Sequence, residues 1–350
     1  MIYIVPIEPI DQRYTLQWFH NIPIDLQKLN AQVETIAGDA IPEGTSTGAF
    51  LDFGATNFYK ASQVKKISEL FSAGKVRPGD KFLVTDAWNF AVTAIRYMSD
   101  LLDIPVEIHG IWHAGAYDAT DILGMKMTKP WPWHQEKAWF HACDYNYFAT
   151  EFHKNMFLRV LNLQGEPSKK AIVSGQPHQE LIGGLNAIRN ATSNKDTSVI
   201  WPHRYNADKQ PEIAEDLAQT YGQEVPWIIT QKLGLDKDAY YRKLARSQVI
   251  FSCSLHENLG ISIMEAVMLN TIPVLPKRCS YAEMYLPEFL YPSNWTDTPE
   301  NYKIHKYDLI NVINDRLMHP EKYQDALKEQ QRILSENYLN ANVMYNLLIS

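Results

Sequence analysis

Cysteine is scarce in this sequence. The 350 residues include only Cys143, Cys253 and Cys279. They are far apart and form no CxxC pair, which excludes a zinc ribbon and a disulfide-framed secreted scaffold. Long apolar runs are missing too; none approaches the ~18 residues of a membrane helix. The N-terminus, MIYIVPIEPIDQRY, lacks the basic stretch and apolar core of a signal peptide. A cytoplasmic protein is therefore expected. No charge of one sign dominates. Lys and Arg total 33 against 40 Asp and Glu, a net −7. Residues 1–165 carry 14 basic and 18 acidic side chains, and residues 166–350 carry 19 and 22. No basic tail or run announces nucleic-acid binding, although a patch assembled only by the fold stays open. GxGxxG, GxxxxGK[ST] and HExxH are absent. This argues against a dinucleotide dehydrogenase, a P-loop enzyme and a zincin. Asp118 and Asp121 form only a weak acidic pair, so neither a metal nor a resident cofactor is expected.

What is present is an ordinary globular balance, 45% hydrophobic and 21% charged. The length suggests about two domains. Short β-branched runs alternate with helical patterns. Strands are expected at 2–6, 32–36, 81–85 and 106–112, with helices at 15–29, 60–73 and 90–102. In the second of these helices Val64, Ile67 and Phe71 share one face. A second series places strands at 198–201, 226–230, 248–253 and 271–275, with helices at 211–221, 238–245 and 260–269. This is the signature of two doubly wound α/β units. Residues 161–178, rich in Gly, Pro, Ser and Lys, read as a linker. The expected boundaries are 1–165, 166–325 and a C-terminal helical segment, 326–350, within a last helix of about 320–348.

In open parallel sheets the ligand lies at the carboxyl ends of the strands, and four such places are unusually polar. In SLHENLGISIMEAVMLNTIPVLP (254–276), Glu257 sits in a strand-to-helix loop and Glu265 inside the helix. Gly260 stands at the helix start, where free N–H groups face a phosphate or hydroxyl, and Asn258 is placed to cap it. In SVIWPHRYNADKQPEIAEDL (198–217), Arg204 and Lys209 follow a strand and suit a diphosphate, Arg as a fork and Lys as a point charge; the bland alternative is a solvated loop. In VEIHGIWHAGAYDATD (106–121), His113 is followed by small residues that let a ligand approach the backbone. It is placed to hydrogen-bond a sugar hydroxyl or to act as an acid or base. His109, mid-strand, reads as a packed structural histidine. The turn at 7–15 offers Glu8, Asp11 and Arg13, which equally suit a solvated loop. Residues 129–148, KPWPWHQEKAWFHACDYNYF, would stack sugars or bases, or more simply pack a core.

Together these segments resemble a family. Glu257-x7-Glu265 after a strand, with Gly260 between, is similar to the E-x7-E motif of retaining glycosyltransferases of family 4. HENLGISIMEAVMLNTIPVLPKRCSYAEMY is more similar still to a subgroup of tRNA-queuosine mannosyltransferase-like proteins and DNA-modifying glycosyltransferases carried by bacteriophages. WPHRYNADKQPE resembles their W-x-HRW-x-x-DK-x-PE segment. The likeness is specific over 198–290, weaker over 106–154 and fold-level in the first hundred residues.

The resemblance implies the GT-B architecture, two Rossmann-like domains facing across a cleft, the first on the acceptor side and the second binding a nucleotide sugar. The last helix would return to the first domain. Arg204 and Lys209 would neutralise the leaving diphosphate. Glu265 would bind the nucleotide ribose, Glu257 the hydroxyls of the transferred sugar, and the backbone from Asn258 through Leu259 and Gly260 to Ile261 the donor. His113 would touch the donor sugar. Asp11, Arg13, Trp112 and Asp118 are the acceptor-side candidates. The donor would be a UDP- or GDP-sugar and the acceptor a modified base such as hydroxymethylcytosine in phage DNA, or a base in tRNA. A surface glycan or glycolipid acceptor, a nucleotide-sugar epimerase and a binding module are the alternatives. Two departures stand out. The glycine-rich first turn of relatives is replaced by VPIEPIDQRY, and Asn270 stands where glycine is common, a place Asn tolerates at positive φ.

Overall fold

The computed structural model describes residues 1–11, 13–42 and 52–350. Gln12, inside the expected turn at 7–15, lies outside them. The chain divides into two compact units, Met1–Pro177 with Ala341–Ser350, and His178–Asn340.

The first unit is built on a six-stranded sheet: β1 (Ile2–Val5), β2 (Val33–Thr35), β3 (Lys81–Val84), β4 (Glu107–Ile111), β5 (Tyr145–Phe148) and β6 (Ala171–Val173). The order is β2-β1-β3-β4-β5-β6, and every pairing is parallel. All four residues of β1 are buried, as a strand covered on both faces requires. On one face Trp18, Ile22 and Leu26, spaced four apart on helix Tyr14–Lys28, pack with Met344, Tyr345 and Leu348 of helix Asn342–Ile349. On the other, Ile67 and Phe71 of helix Phe53–Ser72 meet Val92 and Ile95 of helix Ala91–Leu101. Val64 packs against them only partly buried.

Phe157, on helix Glu151–Val160, is the hub of this second face. Its ring lies 4.5 Å from Trp112, 4.7 Å from Tyr117 and 5.1 Å from Phe148. Because it is fully buried, Phe157→Ala is expected to cost about 3–5 kcal/mol. Urea unfolding of the full chain reads this directly.

The second unit carries β7 (Asp196–Trp201), β8 (Trp227–Ile229), β9 (Ser247–Phe251), β10 (Ile272–Pro276) and β11 (Leu290–Tyr291). Their order is β11-β10-β9-β7-β8, again all parallel. The expected boundary at 165/166 moves to 177/178 for a physical reason. The supposed linker contains β6, which pairs with β5 from Asn146↔Ala171 onward and completes the first sheet. The long terminal helix is likewise divided. Gln324–Asn337 belongs to the second unit, and only Ala341–Ser350 joins the first. Residues 129–148 form helix Trp131–Ala142 and β5. Among the described residues, no helix is long and apolar enough to cross a membrane.

Candidate functional site

The polar residues of the second unit gather at the carboxyl ends of β7 and β9. After β7 the chain passes His203 and Arg204, makes a 3-10 turn at Ala207–Lys209 and enters helix Pro211–Tyr221 through Gln210, whose φ is +52°. After β9 it passes Ser252 and Glu257 and enters helix Ile261–Met268 through Gly260. Leu255 N–H donates to Asp208 O at 2.7 Å, and Gln210 Nε2 donates to Cys253 O at 2.5 Å and Thr296 O at 2.7 Å. These bonds lace the two loops together.

Lys209 is the centre of this lacing. Its Nζ lies 3.2 Å from Glu257 Oε2, 3.2 Å from Asp208 Oδ2 and 2.5 Å from His256 O. Burial pushes the Glu257 carboxyl up, but Lys209 outweighs it, and the net shift is downward. Glu257 is therefore an anion at neutral pH. Burial holds His203 neutral, at about 3; its Nε2 meets Ser252 Oγ at 2.9 Å. Arg204 is the more exposed cation, 3.9 Å from Asp208. Gly260 has φ +79°, and a Cβ there would come within 2.9 Å of the Tyr281 ring. Glycine is thus required on both counts. Leu259 is buried, while Asn258 and Ile261 are half-buried at the helix start.

Glu265 is buried on that helix. Its Oε1 accepts from Lys237 Nζ at 2.8 Å and Tyr241 OH at 2.9 Å. Neither partner was anticipated from sequence. Their spacing of four on helix Lys237–Arg246 places both on one face, a signal available once that helix is set beside Glu265. Asn270 has φ +63°, the conformation anticipated for it.

The first unit collects its own polar groups at the carboxyl ends of β1, β3 and β4, spanning the point where its strand order reverses. Glu8, expected as a possible loop charge, is 1% exposed. Burial raises its pKa and nearby Lys60 opposes the rise. Lys60, buried, donates to Asp86 Oδ2 at 2.6 Å and Trp88 O at 2.8 Å. His113 Nε2 lies 2.7 Å from Thr85 O, so that nitrogen carries the proton. Burial lowers the His113 pKa, which leaves Nδ1, 3.4 Å from Tyr14 OH, as the acceptor. His109 is packed as expected, fully buried and 2.8 Å from Tyr147 OH.

Of the acceptor-side candidates, Trp112 is placed otherwise than expected. It is fully buried, its Nε1 donates to Asn146 Oδ1 at 2.8 Å, and its ring belongs to the Phe157 cluster. It supports the β4 loop from beneath and offers no face to a ligand. Asp118 is buried and folds back on Thr120 N and Oγ1. Asp11 is exposed, and Arg13 stands at the start of helix Tyr14–Lys28.

Glu136 went unnoticed in the sequence. Fully buried, it accepts from Trp88 Nε1 at 3.0 Å and from Ala116 N–H, and so anchors the loop after β4. Burial raises its pKa to about 7, with the surrounding N–H donors opposing the rise. Between its ordinary value and about 7 the folded state holds the extra proton, so stability falls as pH rises through that window. The loss amounts to about 3 kcal/mol. Glu136→Gln should flatten this dependence in denaturant melts from pH 4.5 to 8. An unchanged slope would place the titrating group elsewhere.

The two sheets, their strand orders and the loops at their carboxyl ends define the GT-B fold, the two-domain α/β architecture of glycosyltransferases. No family model matches the chain. The tRNA-queuosine alpha-mannosyltransferase of Drosophila melanogaster is 25% identical in an alignment covering 41% of this chain and 42% of that protein, less than half the relative's length. Solved structures match over nearly the whole chain. HepE of Anabaena in complex with UDP and glucose has 14% identity and a TM-score of 0.58, covering 100% of this chain and 99% of that one. The sucrose-phosphate synthase of Thermosynechococcus elongatus has 13% and 0.65, covering 99% and 98%. The UDP-forming alpha,alpha-trehalose-phosphate synthase of Burkholderia vietnamiensis has 12% and 0.62, also covering 99% and 98%. At these identities the solved structures speak to the fold.

Proposed function

We propose that this protein is a retaining glycosyltransferase that moves a hexose or pentose from a nucleotide-diphosphate sugar to a hydroxyl on a modified nucleic-acid base. The observation that carries the reading is the Lys209–Glu257 pair. It joins two cation- and carboxylate-bearing loops from 48 positions apart at the carboxyl edge of the second sheet. A cation pair for a diphosphate and an anionic carboxylate for sugar hydroxyls are what a nucleotide sugar requires at adjacent points. In this reading Arg204 and Lys209 take the diphosphate, the N–H groups of the helix that follows Gly260 hold the donor, and Glu265 binds the ribose. His113, neutral and in the loop after β4, is the first unit's candidate for touching the donor sugar. The sugar C1–phosphate oxygen bond breaks on the face where the C1–acceptor oxygen bond forms. The acceptor proton passes to the departing phosphate, so no side-chain nucleophile or resident cofactor is needed.

The likeness to an enzyme named for a modified nucleoside of tRNA favours a base as acceptor. A hydroxymethylated pyrimidine in phage DNA offers the same chemistry, a hydroxyl displayed by a base. Calorimetry with UDP, GDP and their sugars tests the donor half. Arg204→Ala should weaken nucleotide binding about tenfold or more. Glu257→Ala should leave free-nucleotide affinity nearly unchanged and abolish transfer. Full activity in both variants would refute the assignment.

A further inference from the structure

Glu265 and Lys237, both in the second unit, are each placed against local preference. Helix Ile261–Met268 carries no other charged residue, and Ile263, Met264, Ala266, Val267 and Met268 around Glu265 are all buried. A carboxylate 3% exposed among them carries a desolvation cost that an apolar side chain would avoid. Lys237 opens helix Lys237–Arg246 directly after its cap, Asp236. There the helix dipole favours an anion over a cation. A buried ion pair adds little stability over apolar packing, so two departures that answer one another point to function.

The lysine is held on three sides. Its Nζ lies 2.8 Å from Glu265 Oε1, 4.7 Å from the centre of the Tyr241 ring and 5.6 Å from that of Tyr240. Tyr241 OH donates to the same Oε1 at 2.9 Å. Of these two donors Tyr241 is buried, whereas the Lys237 side chain is 33% exposed. Any hydroxyl that bonds the Glu265 carboxylate lies beside this ammonium. An ammonium has three N–H donors, and among the described residues Lys237 spends one, on Glu265. The pair thus offers an acceptor and a donor side by side.

We infer that Lys237 is a specificity-determining residue of the donor site. It fixes the Glu265 carboxylate and with it reads the vicinal hydroxyls of a ribose, one donating to the carboxylate and its neighbour accepting from the ammonium. The inference rests on the ribose role given to Glu265 above and names the residue that makes that role selective. A cis-diol suits the pair because each hydroxyl can both donate and accept. Glu265 stands five residues beyond Gly260, about 7–8 Å along the helix. The pair is therefore close to the helix start that takes the donor, as a ribose is close to its diphosphate.

Calorimetry on the full chain with UDP and GDP, and with their 2′-deoxy and 3′-deoxy forms, tests it. Wild type should bind the ribonucleotide at least about tenfold more tightly than either deoxy form, the loss expected when a charged partner is left without its hydroxyl. Lys237→Met keeps the stem and removes the ammonium. It should weaken ribonucleotide binding about tenfold and bring the three forms within about threefold of one another. Lys237→Arg, which keeps a cation, should retain most of the preference. Urea unfolding checks that each variant folds. Should the methionine variant fail to fold, Lys237→Gln, which keeps a donor without the charge, gives the same readout with an intermediate preference. A lysine that only ties two helices together would lower stability without moving the ribose preference, so an undiminished preference in Lys237→Met would overturn the inference. Equal wild-type affinity for ribose and deoxyribose forms would overturn it too, and would leave the diphosphate reading of Arg204 and Lys209 standing. A wild type with no affinity for any of these nucleotides would remove the donor reading, and this inference with it.

Discussion

Lys209→Ala should lower glycosyl transfer at least about a hundredfold, the loss expected when a preorganised cation is removed from a developing charge. It should also destabilise the second unit by about 3 kcal/mol, because Glu257 then loses its counterion in a largely buried site and Asp208 keeps only Arg204, 3.9 Å away. Two variants separate charge from size. Lys209→Met fills the space of the lysine stem without its charge and should be as inactive as the alanine. Lys209→Ala combined with Glu257→Gln should recover much of the stability and none of the activity. If Lys209→Met transferred sugar at the wild-type rate, the ammonium would be a structural tie between two loops and the donor assignment would have to be redrawn. Product formation by mass spectrometry and urea unfolding give the two readouts.

The second large effect belongs to the first unit. Burial pulls the Lys60 pKa down, but Asp86 and Glu8 outweigh it, and the lysine stays charged with its partner 2.6 Å away. Lys60→Met should therefore cost about 3–5 kcal/mol, most of it the uncompensated Asp86 carboxylate. Adding Asp86→Asn to Lys60→Met removes that charge and should restore part of the loss. A double variant no more stable than Lys60→Met alone would mean that packing, not charge, sets the cost. Glu8 sits in the turn that replaces a glycine-rich segment in the proteins this chain resembles. The Lys60–Asp86 pair beside it gives that turn a polar, buried support which a bare glycine turn would lack.

Much of this was legible in the sequence, where one side chain's environment depends on its neighbours along the chain. The helix carrying Ile67 and Phe71, the strand–loop–helix around Glu257 and Gly260, the packed His109 and the positive φ at Asn270 all follow from period, composition and local backbone chemistry. Illegible parts depend on partners remote in sequence. Lys60 and Asp86 are 26 positions apart, and no local pattern pairs them. β6 is three residues between Lys170 and Ser174, too short to stand out from a linker until β5 is beside it. Trp112 ends the expected strand 106–112 and reads as an acceptor-side candidate, yet the aromatic layer of Phe157 closes over it. Residues 129–148 divide by face. Trp139, Phe140, Tyr147 and Phe148 fill the core, while Trp131 and Trp133 stay outside it. The core-packing reading of that stretch holds for those four residues.

Nucleoside mass spectrometry tests the central claim most directly. The protein is incubated with a pool of UDP- and GDP-sugars, together with hydroxymethylcytosine-containing DNA in one arm and queuosine-containing tRNA in the other. The nucleic acid is then digested to nucleosides. The account predicts a hexose or pentose increment on the modified nucleoside of one arm, matched by release of the corresponding nucleoside diphosphate and lost in Lys209→Ala. Unmodified nucleosides in both arms, alongside nucleotide sugars that are epimerised or hydrolysed, would contradict it.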